Sequence, residues 1–192
     1  MGITVELCAA MSAIDAAAAE LYAGLDHEQL SWSPRPGKWS MAENLAHLRV
    51  TTLVFLPVVD AVIADCVKQN LLSQDPCRMN LFGRLLVWRM DARPILKMRA
   101  PHLTQPRLSN PPGHELEQFL LAQTAMRQRI EASDGLDLTA LRFPSPLATY
   151  LRVNLLEFFS MFNAHSRRHL QQANKIRRAL PRPVYSQVSY TR

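Results

Sequence analysis

A chain of 192 residues, 48% apolar by type and with only six glycines, is long enough for one hydrophobic core and too apolar to stay disordered. Its formal charge of +6, from 22 basic against 16 acidic side chains, gathers toward the C-terminus in Arg167, Arg168, Lys175, Arg177, Arg178, Arg182 and Arg192. Such an end can meet phosphate or an anionic surface, but the solvated face of a last helix gives the same pattern and is the preferred reading. Cys8, Cys66 and Cys77 are far apart and form no CxxC pair, which argues against a disulfide framework or a zinc knuckle and fits a reducing compartment. Residues 1–25 carry Glu6, Asp15 and Glu20 without a basic leader, unlike a signal peptide, and Glu6 stands where a myristoylation signal wants Ser or Thr. No apolar run approaches the ~20 residues of a membrane span. The expectation is a cytoplasmic protein.

In chain order, Leu7, Met11, Ile14, Ala18, Leu21 and Leu25 recur at steps of three and four, one face of a first helix. It should stop before residues 31–37, where Pro34, Pro36 and Gly37 favour turn geometry. Ser40 followed three residues later by Glu43 is a capping-box pattern, so a second helix opens there and runs toward Lys68, with a kink or break expected at Pro57. Residues 73–112 are the hardest to read: a short helix over 80–90, then a connection punctuated by Pro94, Pro101, Pro106, Pro111 and Pro112. Leu116, Phe119, Leu120, Gln123, Met126 and Ile130 mark a third helix, closed by Ser133, Asp134 and Gly135. Leu151, Leu155, Phe158, Phe162, His165, His169, Gln172 and Ile176 make one continuous stripe of a fourth helix that ends at Pro181. With no convincing period-two strands, the pattern is an all-α bundle, with one domain over 1–182 and a tail over 183–192.

His165 and His169 interrupt a stripe that is otherwise apolar, so both rings should face the interior. One helical turn can bring their nitrogens to the ~4 Å separation of neighbouring ligands on one metal. Hydrogen-bonded core histidines are the plainer alternative, but two adjacent buried imidazoles each need a donor and an acceptor satisfied. A third ligand must come from another helix, and His47, one turn past Glu43, is the best placed; an interface histidine is its alternative. His27, His102 and His114 lack a partner at ligand spacing and should face solvent.

Residues 30–48, Leu-Ser-Trp-Ser-Pro-Arg-Pro-Gly-Lys-Trp-Ser-Met-Ala-Glu-Asn-Leu-Ala-His-Leu, resemble the loop and second-helix entry of the DinB-like superfamily. Residues 164–172, Ala-His-Ser-Arg-Arg-His-Leu-Gln-Gln, resemble the HxxxH signature of that family's last helix. The resemblance implies an up-down-down-up four-helix bundle, here with a proline-rich connection between the second and third helices. It also implies a homodimer, and one divalent transition metal, nickel or zinc, held by His47, His165 and His169. Characterised relatives include transferases and an isomerase that use low-molecular-weight thiols, so a small-molecule substrate of that kind is implied.

Three neutral nitrogen ligands leave coordination positions open, the mark of a reactive rather than a purely structural metal. A metal lowers the pKa of bound water or thiol, so thiol S-transfer and hydrolysis are both open to such a site. A non-catalytic, metal-stabilised ligand-binding bundle is the competing class; nucleic-acid binding through the basic last helix is a third and is not expected. Glu43 is a candidate proton acceptor, with its capping-box role as the structural alternative. Gln172 and Arg168 are candidates to face substrate, the first against a core hydrogen-bonding role and the second against an interhelical ion pair. Trp39 is read as stapling the loop to the bundle.

Overall fold

The computed structural model describes residues 2–73, 77–91, 100–108 and 112–181; the tail over 183–192, Arg182, and much of the proline-rich connection lie outside them. Within them the chain is mostly helical, with six helices and one small two-stranded sheet. Four long helices carry the fold: α1 (Ile3–Tyr22), α3 (Met41–Lys68), α5 (Glu115–Ala132) and α6 (Leu155–Ala179). Helices α1 and α3 each pack against both α5 and α6. The short α2 (His27–Ser31) follows α1, and α4 (Leu81–Asp91) lies along α6.

The helix boundaries follow from local chemistry. Helix α1 buries the expected stripe of Leu7, Met11, Ile14 and Ala18 but stops at Tyr22, whose hydroxyl donates to the Met41 carbonyl at 2.7 Å and joins the end of α1 to the start of α3. Asp26 and Gln29 then form a capping box that opens α2. Ser40 and Glu43 form the expected box at the head of α3: the Glu43 N–H donates to Ser40 Oγ at 3.1 Å and the Ser40 N–H to Glu43 Oε2 at 2.7 Å. Ser133 and Gly135, the latter at φ +77°, close α5 as expected. The short helix expected over 80–90 is present as α4.

Three expectations need correction. Helix α3 runs unbroken through Pro57. Pro57 and Leu53, whose carbonyl loses its intrahelical donor, both lie on the exposed side of the helix, where water can satisfy that carbonyl. The chain is also not strand-free: β1 (Phe143–Ser145) pairs antiparallel with β2 (Ala148–Val153), Phe143 opposite Val153. Leu151 therefore sits in β2, one turn's spacing before Leu155 by coincidence, and the last helix begins only after it. Asn154 caps that helix by accepting from the Glu157 N–H at 2.9 Å, while Glu157 accepts from the Asn154 N–H and pairs with Arg142 at 3.1 Å. Finally, although Pro57 and Asp60 interrupt its apolar run, α3 is long and apolar enough to cross a membrane by length and composition. Its packing against α5 and α6, with buried Asn44, His47, Thr51 and Thr52, is that of a central bundle helix.

Two apolar clusters fill the interior. One gathers Phe55, Val59, Met126, Ile130, Phe158, Phe159 and Phe162. The other gathers Ile14, Met41, Leu45, Leu48, Phe119, Leu170, Ala173 and Ile176. On α6 the stretch from Phe162 to Leu170 separates the two, and it carries His165 and His169. Polar chemistry is thus concentrated between two dry regions.

Candidate metal centre

Helix α3 brings His47 to face His165 and His169 of α6. The Nε2 atoms of His47 and His165 are 3.3 Å apart. Two nitrogens each ~2.05 Å from one tetrahedral ion stand about 3.3 Å from each other, so this pair already has ligand spacing. One ligand atom from each of the three rings falls within 4.8 Å of the others, and the ring centroids lie 4.6–5.2 Å apart. His47 and His169 are buried and His165 is half-buried, which leaves the His165 side as the more open one. His27, His102 and His114 are exposed, as expected.

The outward ring nitrogens have fixed partners. His47 Nδ1–H donates to the Thr104 carbonyl at 2.5 Å, from a short turn of 3-10 helix (His102–Thr104) laid against α3. His169 Nδ1–H donates to Asn44 Oδ1 at 3.0 Å. The Asn44 amide is oriented in turn because its Nδ2 donates to the Ser40 carbonyl at 2.8 Å, at the α3 cap. Each bond places the proton on Nδ1 and turns the Nε2 lone pair inward, the arrangement that prepares imidazoles for a metal. Trp39 lies over two of them, its ring centroid 4.8 Å from that of His47 and 5.8 Å from that of His169 at an interplanar angle of 28°. The residue read as a loop staple is therefore also a wall of the site.

The electrostatics agree with neutral ligands. Burial, first of all, pushes His165 down to about 3, with the charges of His47 and Arg168 adding to it. His169 is held well below its ordinary value by burial, then by His165, His47 and Arg168. Burial also lowers His47, against the opposing bond to Thr104. Three imidazoles that resist protonation, with no carboxylate in the group, could hold a divalent transition metal.

The other candidate residues fall as follows. Glu43 is half-buried and its Oε2 serves the α3 capping box. Gln172 is half-buried and its side chain makes no hydrogen bond among the described residues. Arg168 does not form the interhelical ion pair weighed for it; that role belongs to its neighbour Arg167, 3.4 Å from Asp91 of α4. Instead the Arg168 Nε is buried without a hydrogen-bond partner. Sequence reasoning missed Asn44 and Thr104. Asn44 stands one turn before His47 and was within reach of a helical-spacing argument; Thr104 acts through its backbone carbonyl, which its side-chain identity does not advertise.

Fold and site together define a helical bundle with a cluster of three histidines between its helices that could hold a metal ion. A family model described as DinB superfamily matches residues 11–173, and the chain belongs to that superfamily. Comparison with curated proteins and with solved structures gave no match.

Proposed function

We propose that the chain is a metal-dependent enzyme in which His47, His165 and His169 hold one divalent transition metal, nickel or zinc, and that it transfers a low-molecular-weight thiol to a small electrophilic substrate. The observation that carries the reading is the convergence of three neutral imidazoles, two of which, His47 and His169, have their outward nitrogens held by Thr104 and Asn44. A metal with three such ligands keeps open positions and supplies the Lewis acidity that turns a bound thiol into a thiolate near neutral pH. The chain's own residues do the rest: Asn44 and Thr104 hold the ligand tautomers, Trp39 closes one wall, and the half-buried His165 marks the approach. Glu43, where its capping role leaves an oxygen free, is the proposed proton acceptor, and Gln172 and Arg168 are proposed to face substrate.

The same reading takes the bundle as up-down-down-up, working as a homodimer in the cytoplasm on a small molecule, without nucleic acid or membrane as partner. Metal-dependent hydrolysis uses the same site with water in place of the thiol.

The test is metal content by elemental mass spectrometry on untagged protein, against the His165→Ala/His169→Ala variant, followed by a screen of low-molecular-weight thiols with electrophiles. About one equivalent in the parent and none in the variant, with thiol consumption lost on chelation while the helical signal persists, supports the enzyme. Metal removal that unfolds the bundle instead supports a structural ion. A parent that takes up no ion when offered each one overturns the reading.

A further inference from the structure

Arg168 stands between His165 and His169 in sequence, three residues after the first and so its neighbour on the surface of α6. A second cation, the exposed Arg89 of the adjacent α4, disfavours its charge. Neither arginine forms an ion pair with a described residue, and the acid closest at hand in the chain, Asp91, is taken by Arg167. Arg168 as a whole is half-buried, and its Nε is buried without a partner, a donor that nothing among the described residues satisfies. No carboxylate joins the histidine cluster either, so a divalent ion there would add to the positive charge rather than balance it. A guanidinium is also the side chain best shaped to take a carboxylate or phosphate through two parallel hydrogen bonds.

We infer that Arg168, assisted by Arg89, forms an anion subsite beside the metal centre, and that the substrate carries a carboxylate or phosphate group within reach of the reacting atom. This rests on the proposed function in two respects, that the histidines hold a metal and that Arg168 faces a substrate; the arginine pair and its want of an acceptor do not depend on it. The two guanidinium groups come from different helices, α6 and α4, so the subsite exists only because α4 is laid along α6. An anion there would relieve the repulsion between the arginines and also offset the charge of a bound metal.

The probes are inorganic phosphate and glutarate, with neutral glutaramide as control, titrated at constant ionic strength into the metal-free and the zinc-loaded protein and followed by calorimetry. The variants are Arg168→Gln, Arg168→Lys and Arg89→Gln, with zinc stoichiometry and circular dichroism measured on each. The expected result is anion binding by the parent in both forms, weakened about tenfold or more in Arg168→Gln. A smaller loss is expected in Arg89→Gln, partial recovery in Arg168→Lys, and zinc content unchanged throughout. Which of phosphate and glutarate binds more tightly identifies the head group. If the parent binds neither anion, or if Arg168→Gln binds them as the parent does, the subsite is overturned; anion binding confined to the zinc-loaded form and indifferent to Arg168 means that the metal alone takes them. If the parent takes no zinc yet binds anions through Arg168, the subsite stands and the metal reading falls.

Discussion

Replacing His165 by asparagine should flatten the acid sensitivity of the metal-free protein. In the folded chain His165 is held at about 3, against an ordinary value of 6.5, so between those limits the unfolded chain binds a proton that the folded chain does not. Stability contributed by the neutral ring is fully present above pH 6.5 and is lost as pH falls toward 3, at up to about 1.4 kcal/mol per pH unit. At pH 4.5 the loss from this one group reaches about 3 kcal/mol, an upper figure because His165 keeps some exposure. His47 and His169 are shifted the same way and add to it, so a domain with ordinary stability of about 5–15 kcal/mol should come close to unfolding in mild acid. The assay is urea denaturation of metal-free parent and His165→Asn at half-unit steps from pH 7.5 to 4.5. The carboxylates titrate alike in both proteins, so the difference isolates the ring. Parallel stability curves for parent and variant would refute a buried neutral His165.

Asn44→Ala removes the acceptor of the His169 Nδ1–H and should weaken zinc or cobalt binding about 10- to 100-fold, measured by chelator competition. Gly83→Ala should lower the melting temperature, because a Cβ there would meet Met79 Cγ at 2.6 Å and Glu157 Cγ at 2.8 Å. Glu157 is fully buried and already committed to Asn154 and Arg142, so a cost of about 1–3 kcal/mol is expected by thermal denaturation. Glu115→Ala leaves Arg49, 3.1 Å from the carboxylate and only 15% exposed, without its buried counter-ion, and should cost about 3 kcal/mol by urea denaturation.

Much of the site was legible because helical periodicity reports direction. Two histidines in an apolar stripe had to face inward, and the Ser40–Glu43 box fixed where α3 begins; the choice of His47 as their partner rested mainly on the family resemblance. The hairpin escaped because β1 is three residues long and contains Pro144, while β2 shows no regular alternation of burial; Leu151, at helical spacing from Leu155, then extended the last helix backwards. The Asn154–Glu157 box was readable as a start signal and argues against that extension. Helix α2, at five residues, is too short for periodicity to find, though Asp26 and Gln29 carry its capping box. The Thr104 contact lay beyond local reasoning, since 57 residues separate it from His47 and a backbone carbonyl has no signature in sequence.

His165 and His169 are one turn apart on a single helix, whereas His47 is 118 residues away from the first of them. The centre therefore divides into a half that any stretch of helical α6 can display and a half that exists only once α3 has docked. During synthesis His47 emerges early and waits, and its partners appear only near the end of the chain. On the proposed reading, an ion caught by the HxxxH pair before docking would be held by two ligands and easily lost, and docking of α3 would add the third. Because the two-ligand half can also bind metal in the unfolded chain, added metal should protect the fold less than its affinity for the finished site alone would suggest.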